Sequence, residues 1–381
     1  MPPLGLYIHV PFCSAICHYC NFNRGLFDEP LKRRYVEAVA AEIRGAPGRF
    51  GWLPSRAQAD TIFFGGGTPS LLESREVEAI LGACREAFDV APGAEVTLEA
   101  NPESAAAAYL ERLRDAGVNR LSLGVQSFRQ PELARLGRLH DVAQARRAVD
   151  GARAAGFDNL SLDLMMWLPG QSVREWLDSV EAAIALGPEH LSLYMLEIYP
   201  NAPLRETMAR EHWSQAPDDD AADMYEAAMR GLEMAGYRQY EISNVAKPGR
   251  ESRHNLKYWT DGEWLGFGPG AHSTLAGARW KNVAASDDYV ARVAAGLPLE
   301  TDRRDLTAAE RWQEAVITGL RLHAGISLRA MAATYGVDLD ARFGDDLRRL
   351  QEAGAVERDG DRLRLTRRGM LVANDALAVF I

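Results

Sequence analysis

Three cysteines near the amino terminus have the spacing of a metal site. Cys13, Cys17 and Cys20 form a C-x3-C-x2-C pattern directly after an apolar stretch that ends at Pro11. Three thiolates this close together in an intracellular chain are better explained by a metal than by disulfides. A structural zinc ion would need a fourth ligand, for which His18 is the local candidate. A four-iron cluster needs only three thiolates and leaves one iron open for a small molecule, so the cysteines alone allow both centres.

Polar residues at the ends of apolar runs form a second group of candidates. The segment 65–69 (GGGTP) can bring backbone groups close to a ligand, although a tight turn is the plainer explanation. Glu99, Gln126 and Asp163 end or interrupt further apolar runs, and Arg138 follows in the segment 136–140 (LGRLH). A charged side chain in such a run is costly unless it is paired or bound to a ligand. The alternative is a structural ion pair of Arg138 with Glu99 or Asp163.

The elements that must position these residues alternate between strands and helices. Apolar periodicity predicts strands at 4–10, 61–64, 95–99, 120–125, 160–164 and 191–196, with helices at 31–43, 77–88, 105–116, 141–155 and 173–186. A stretch with glycine and proline at 45–54 is expected to end the first helix. Such alternation implies parallel strands joined by right-handed crossovers. An open α/β architecture, a partial (β/α)6 barrel, is favoured over a flat doubly wound sheet, and ligands are expected at the carboxyl ends of the strands.

The rest of the chain predicts a barrel extension and a smaller α+β domain. A helix at 218–235 and a strand at 240–243 precede an aromatic and glycine-rich segment. Three helices and a hairpin follow, and together they resemble a winged helix. The predicted helices are 308–322, 328–335 and 342–353, and the predicted hairpin strands are 355–357 and 363–365. Balanced arginine and acidic residues without lysine favour a packing or lid role over DNA binding. The predicted domains are 1–215, 216–300 and 301–381.

The cysteine loop after a first strand resembles the radical S-adenosylmethionine (SAM) superfamily. The segment 7–13 (YIHVPFC) resembles the start of its oxygen-independent coproporphyrinogen oxidase family. The oxidases of that family carry a further cysteine two residues after the third, where this chain has Phe22. This departure indicates the sister branch of heme chaperones. The resemblance implies a 4Fe–4S cluster on Cys13, Cys17 and Cys20, and bound SAM.

The same resemblance implies which residues contact SAM. By chemistry, Arg138 suits the SAM carboxylate and Glu99 the amino group, while Gln126 and Asp163 suit the ribose hydroxyls. Trp167 is a departure, because relatives usually have glycine there. Tryptophan cannot freely adopt the backbone angles open to glycine, so the turn after Asp163 is expected to differ. The expected SAM contacts are Tyr7, Tyr19, Gly66, Gly67, Thr68, Glu99, Gln126, Arg138 and Asp163.

The segment 254–259 (HNLKYW) matches an HNxxYW motif that the resemblance associates with heme chaperones. Imidazole is a common axial ligand of heme iron, and aromatic rings pack well on a flat porphyrin. His254 is therefore expected to bind heme. The alternative is a structural hydrogen bond from His254, with the aromatic residues filling a domain seam. His272 is a second candidate for the SAM pocket or heme, whereas His9 and His18 are expected to support the cluster from behind its ligands.

Composition restricts the partners. The formal net charge of −10 disfavours a general nucleic-acid binder. No apolar run is long enough to span a membrane, and no secretory signal is evident. The clustered cysteines fit a reducing cytoplasm, and Cys84 is expected to be an inert core residue. Heme and an acceptor protein are the expected partners, and peripheral membrane contact is compatible with a heme donor although no anchor is visible.

The resemblance implies a chaperone that binds heme and passes it to an acceptor protein. The alternative is an oxygen-independent coproporphyrinogen III oxidase, in which SAM is cleaved to a radical that abstracts hydrogen from a propionate side chain. A nucleic-acid-binding radical SAM enzyme is a third reading, against which the acidic balance argues. Whether SAM is cleaved, and which protein receives heme, the sequence leaves open.

Overall fold

The computed structural model of the chain describes residues 2–52, 56–199, 202–215 and 217–381. In the first half, strands alternate with helices as predicted. Their bounds are β1 Leu4–Val10, β2 Phe12–Cys13, β3 Gly25–Leu26, α1 Glu29–Arg49, β4 Gln58–Gly66, α2 Ser74–Ala87, β5 Asp89–Ala100, α3 Ala107–Ala116, β6 Arg120–Gln126, α4 Gln130–Arg135, α5 Val142–Ala154, β7 Leu160–Met166, α6 Val173–Ala185 and β8 His190–Met195.

The second half adds strands to the barrel and then builds a separate small sheet. The bounds are α7 Pro203–Glu211, α8 Asp218–Met234, β9 Arg238–Glu241, β10 Asn244–Ala246, α9 Arg253–Trp259, β11 Trp264–Phe267, β12 His272–Leu275, β13 Ala278–Asn282, α10 Ser286–Ala294, β14 Glu300–Asp305, α11 Ala308–Leu320, β15 Ile326–Ser327, α12 Leu328–Tyr335, α13 Leu339–Glu352, β16 Val356–Asp359, β17 Arg362–Leu365, α14 Arg367–Leu371 and α15 Ala373–Leu377. No helix among the described residues is long and apolar enough to cross a membrane.

The main sheet has twelve strands in the order β14-β13-β12-β11-β1-β4-β5-β6-β7-β8-β10-β9. The strands β1, β4, β5, β6, β7 and β8 pair in parallel, which confirms the predicted partial α/β barrel. Within the described residues, the sheet ends at β14 and β9 and does not close. A barrel extension was predicted at 216–300, but its strands β11–β14 were not, because they are short and interrupted by glycine turns.

The residues of β6 show how the barrel separates its two faces. Leu121, Leu123 and Val125 are fully buried in the core. The alternate residues Ser122, Gly124 and Gln126 line the barrel interior. Because side chains of a strand alternate between its faces, one face is apolar beneath the helices and the other is polar. This alternation creates an interior able to hold a polar ligand.

Two sequence predictions are wrong in detail. Helix α1 does not end before the glycine and proline stretch but runs through Pro47 to Arg49. Pro47 lies in the last turn and is buried with Ala46, so packing outweighs the loss of one backbone donor. The predicted strand 240–243 is instead the end of β9 and a turn into β10. Pro54 and the domain boundary at Ala216 lie outside the described residues.

A buried carboxylate fastens the barrel extension to α1. The Glu42 side chain accepts hydrogen bonds from the Tyr289 hydroxyl at 2.6 Å, the Asn282 Nδ2 at 2.7 Å and the Gly268 backbone N–H at 2.9 Å. Burial raises the pKa of this carboxyl group. Its partners come from three different parts of the extension, so one side chain fixes β11, β13 and α10 together.

The carboxyl-terminal module consists of α11–α15 and a three-stranded antiparallel sheet ordered β15-β17-β16. The predicted hairpin is confirmed as β16–β17, with Asp359 paired to Arg362. The module joins the barrel at β9, where the His323 backbone N–H donates to the Tyr240 carbonyl at 2.9 Å. The module therefore packs on the barrel beside the strand β9 and helix α9.

Gly67 offers a test of the packing behind the cysteine loop. A Cβ atom there would lie 2.6 Å from the Phe12 carbonyl oxygen and 3.1 Å from the Cys13 Sγ. We expect Gly67→Ala to lower the free energy of unfolding by about 1–3 kcal/mol, because the backbone must move. Chemical denaturation measures this change. Gly82→Ala is the matched control, because a Cβ there meets no atom within 4 Å; its expected effect is a gain of about 0.5–1 kcal/mol. Equal effects of the two substitutions would contradict the prediction.

Candidate functional site

A cavity of about 440 Å³ opens at the carboxyl ends of the parallel strands. The structure brings most of the predicted site residues to its wall. Those residues are Cys13, Cys17, Tyr19, Cys20, Gly66, Gly67, Thr68, Glu99, Gln126, Arg138 and Asp163. They come from the cysteine loop, from the end of β4 and the residues after it, from strands β5, β6 and β7, and, for Arg138, from the loop after α4. The sheet makes the strand-end residues neighbours, and the two loops add the cysteines and Arg138.

The three cysteine thiols face one side of this cavity. Thr68 Oγ1 donates to Cys13 Sγ at 3.5 Å, and Arg138 donates from its Nη1 to Cys17 Sγ at 3.4 Å. Among the described residues, no three His, Cys, Asp or Glu side chains converge closely enough to hold a single metal ion. A four-iron cluster asks for a wider spacing, because each thiolate binds a different iron. The donor set thus fits a cluster better than one zinc ion.

Long-range hydrogen bonds hold the cysteine loop in place. Asn23 donates from its Nδ2 to the Pro269 and Ala284 carbonyls, each at 3.0 Å, and its own carbonyl lies 2.7 Å from His9 Nε2. His18 Nδ1 lies 3.0 Å from the Arg135 carbonyl oxygen. His9 therefore contacts the loop backbone, and His18 ties the loop to the end of α4; their support of a cluster stays a prediction.

Arg138 is held rigidly at the cavity wall. Its Nη2 donates to Asn101 Oδ1 at 2.6 Å and to the Gly124 carbonyl at 2.8 Å. Its Nε is buried and has no partner within the described protein. The direct ion pair with Glu99 or Asp163 that the sequence allowed does not form within 4.0 Å. The guanidinium is thus fixed in direction and keeps donor capacity for a ligand carboxylate.

Two partly buried carboxyl groups face the cavity from β5 and β7. Burial, and secondly the charge of Asp163, raise the pKa of Glu99 to about 8. Burial also raises the pKa of Asp163, although Ser122 donates a hydrogen bond to its Oδ1 at 3.1 Å. A cation in the cavity would favour the ionised form of both groups.

Gln126 ends β6 in a strained conformation. Its φ angle is 68°, in the left-handed region that residues other than glycine rarely adopt. The neighbouring backbone is fixed by the Ser127 N–H, which donates to the Val125 carbonyl at 2.9 Å, and by His140 Nε2 at 3.1 Å from the same oxygen. Backbone strain of this kind is concentrated at functional sites. It turns the Gln126 side chain toward the cavity instead of continuing the strand.

Trp167 also adopts the left-handed region, with φ of 62°. Glycine takes this conformation without cost, so the turn is one that a glycine would also form. The expectation of a different turn is therefore wrong. Asp163 keeps its place in the cavity wall, four residues before the tryptophan.

Tyr7 and His254 do not line the cavity. Tyr7 lies behind the wall, where its hydroxyl is 3.1 Å from His9 Nδ1 and its ring stacks on Phe63. His254 is 1 % exposed; its Nδ1 lies 2.8 Å from Thr61 Oγ1 and its Nε2 2.9 Å from the Tyr258 hydroxyl. Burial lowers the pKa of His254 to about 3. With both nitrogens occupied, the imidazole does not fit heme ligation in this conformation.

The motif around His254 lies near the amino ends of the strands. Glu95, on β5, accepts the backbone N–H groups of Arg253 and His254, each at 3.0 Å. Helix α9 thereby closes the barrel at the end opposite the cavity. His272 is exposed at the start of β12 and does not line the cavity either.

Sequence reasoning missed the apolar rim of the cavity. Phe22 is 63 % exposed, Tyr194 and Met195 are each 43 % exposed, and Ile16 is 37 % exposed. All four line the cavity. Tyr194 and Met195 end β8, which was the available signal, but an apolar residue at the end of an apolar strand looks like ordinary core.

Comparisons with known proteins agree with this geometry. The Radical SAM superfamily model matches residues 7–183, and the HemN C-terminal domain model matches residues 306–372. Heme chaperone HemW of Bacillus subtilis (strain 168) is 36 % identical over 377 residues, covering 98 % of each chain. Heme chaperone HemW of Escherichia coli (strain K12) is 42 % identical over 281 residues, covering 72 % of this chain and 71 % of that one.

A solved structure has the same fold over nearly the whole chain. The coproporphyrinogen III oxidase HemN from Escherichia coli, described as a radical SAM enzyme, matches with a TM-score of 0.86 and 23 % identity. The match covers 99 % of this chain and 90 % of that chain. Together with the identities to the chaperones, these findings show that the chain belongs to the radical SAM superfamily and, within it, to the HemW family.

Proposed function

We propose that this protein is a heme chaperone of the cytoplasm, which binds heme and passes it to an acceptor protein. Relatives that are 36 % and 42 % identical to this chain bear that name. The observation that carries the proposal is the exposed apolar rim formed by Ile16, Phe22, Tyr194 and Met195. A flat apolar molecule bound at an open rim can be released to another protein, whereas a fully enclosed one cannot leave without unfolding its site.

We further propose that Cys13, Cys17 and Cys20 hold a 4Fe–4S cluster and that the cavity wall binds SAM. When bound, such a cluster offers one open iron to the amino and carboxylate groups of SAM. Arg138 would receive the carboxylate, and Glu99 the amino group. Tyr19, Gly66, Gly67, Thr68, Gln126 and Asp163 complete the proposed contacts, and Tyr7 supports them from behind.

The rim replaces His254 as our proposed heme surface. The four rim side chains present aromatic and aliphatic area, which is what the faces of a porphyrin need. Arg24 lies in the same cavity wall, and its guanidinium donates to the Cys20 and Phe22 carbonyls. A cation beside an apolar rim suits a ligand that combines an apolar plane with carboxylates. His254 would need to lose both hydrogen bonds and leave its buried position before it met heme.

Glu99 makes SAM binding depend on pH. Its pKa of about 8 leaves the carboxyl mainly neutral at lower pH, so the charge that attracts a cationic ligand is lost as the pH falls. We expect the Kd for SAM to rise about tenfold from about pH 9 to about pH 7 in cluster-reconstituted protein. Equilibrium dialysis with labelled SAM measures this. Glu99→Gln is the control, because its pH profile still contains the titration of the ligand's own amino group but lacks that of Glu99. Parallel profiles for the two proteins would contradict the prediction.

The heme surface can be tested by paired substitutions. We expect Phe22→Ser combined with Tyr194→Ser to weaken heme binding at least about tenfold, because apolar contact area is lost. Met234→Ser, at a residue 86 % exposed far from the cavity wall, should leave the heme Kd unchanged. Absorbance titration with heme gives the Kd of the wild type, of the double variant and of Met234→Ser. If His254→Ala abolishes binding while the rim variant retains it, the heme surface lies at the HNxxYW motif instead.

Oxidation of coproporphyrinogen III is the second candidate function, because a solved oxidase of that substrate has the same fold. Anaerobic incubation of cluster-reconstituted protein with SAM, reductant and coproporphyrinogen III distinguishes the two. We expect no decarboxylated porphyrin by mass spectrometry, with heme binding intact in the same sample. Protoporphyrinogen formed over many turnovers would make the protein an oxidase.

A further inference from the structure

A buried arginine lies below the proposed SAM site and belongs to no interaction described so far. Arg120 is the first residue of β6, and its side chain is 1 % exposed. No carboxylate of the described chain lies within 4.0 Å of its guanidinium, and its buried Nε has no hydrogen-bond partner. A buried charge without a direct partner is costly, so its retention calls for a function.

The register of the sheet places Arg120 inside the barrel. It shares the inner face of β6 with Ser122, Gly124 and Gln126, one step below the cavity wall. Its neighbour on β5 is Thr97, which stands between two glutamates on the same face of that strand. Glu95 lies below Thr97 and Glu99 above it. Arg120 therefore lies at the level halfway between Glu95, near the amino ends of the strands, and Glu99, at the cavity.

The other ionisable side chains of this layer do not supply a positive charge. His190 lies between Ser161 Oγ and the Tyr240 hydroxyl, each at 2.8 Å, and burial lowers its pKa well below the usual value. His254 is neutral for the same reason. The titratable and charged groups around the two cavity carboxyls are Tyr7 on β1, Glu95 on β5, Arg120 on β6, His190 and Tyr194 on β8, Tyr240 on β9, His254 and Tyr258 on α9, and Arg138 after α4.

We propose that Arg120 is a positioning residue for the SAM site: a fixed cation beneath the cavity that keeps Glu99 and Asp163 able to ionise, without touching the ligand. The inference rests on the proposed binding of SAM. Its charge opposes the burial that raises the pKa of both carboxyl groups. A guanidinium serves this purpose because it stays protonated at every pH at which the protein is folded. Without it, the pKa of Glu99 would be higher still, and less of the ionised carboxylate would be available to the ligand at neutral pH.

This inference predicts a specific change in the pH profile. Arg120→Met keeps the length and removes the charge. We expect SAM to bind at least about fivefold more weakly than to wild type near about pH 7.5, with the difference shrinking as the pH rises, because below the pKa each pKa unit changes the ionised fraction about tenfold. Arg120→Lys keeps the charge and should stay within about twofold of wild type at every pH. Equilibrium dialysis on cluster-reconstituted protein gives these profiles.

Proton counting provides a readout that packing alone does not move. Calorimetry in two buffers of different ionisation heat counts the protons released when SAM binds. Binding to Arg120→Met should release more protons than binding to wild type, by up to one per SAM. A uniform loss of affinity with an unchanged pH profile and proton count would overturn the inference and leave SAM binding standing. Wild-type protein that bound no SAM would overturn the proposed function and the inference together.

Thermal melting of each variant separates loss of folding from loss of charge. If Arg120→Met does not fold, Arg120→Gln, which also removes the charge but keeps a polar side chain, decides the question. A pH midpoint of SAM binding that moves upward in Arg120→Gln and stays at the wild-type value in Arg120→Lys supports the role of the charge. A wild-type midpoint in Arg120→Gln would overturn it.

Discussion

The structure depends on keeping ionisable groups inside a barrel whose outer wall is apolar. Glu99 and Asp163 are partly buried carboxyl groups, and desolvation raises the pKa of both. The fold meets this cost with Arg120 below them and with Arg138 in the same wall, so opposite charges share one interior without forming close ion pairs. An interior arranged in this way offers both a cation and carboxyl groups, and it suits a ligand that carries both charges better than an apolar one.

The cysteine loop depends on contacts from remote parts of the chain. Asn23 bonds the carbonyls of Pro269 and Ala284, and Glu42 holds the same extension through Tyr289 and Asn282. A loop that must present three thiols in a fixed arrangement gains rigidity from such contacts, because short loops have few internal bonds of their own. The barrel extension β11–β14 is thus part of the support for the cysteine loop, although none of the cysteines belongs to it.

The two ends of the barrel have different chemistry. At the carboxyl ends, strained and partly unsatisfied groups such as Gln126 and Arg138 face an open cavity with an apolar rim. At the amino ends, His254, Thr61, Tyr258 and Glu95 bond to one another and leave no free imidazole nitrogen. Barrel proteins generally carry function at the first end and stability at the second. By this criterion the HNxxYW motif belongs to the stabilising end of the barrel, and the cavity with its rim belongs to the functional end.

The sequence by itself determined the parallel barrel, the cysteine loop and the polar residues at the strand ends, because strand periodicity and residue spacing are local properties. It also identified Glu99, Gln126, Arg138 and Asp163 as neighbours, since the carboxyl ends of parallel strands must meet. Only the tertiary structure decided the surroundings of His254, the continuation of α1 through Pro47, and the position of Arg120 beneath the cavity. Each of these follows from burial and from partners distant in the chain. A sequence shows that a histidine or an arginine is present, but not whether its side chain faces a ligand or is buried at the other end of the barrel.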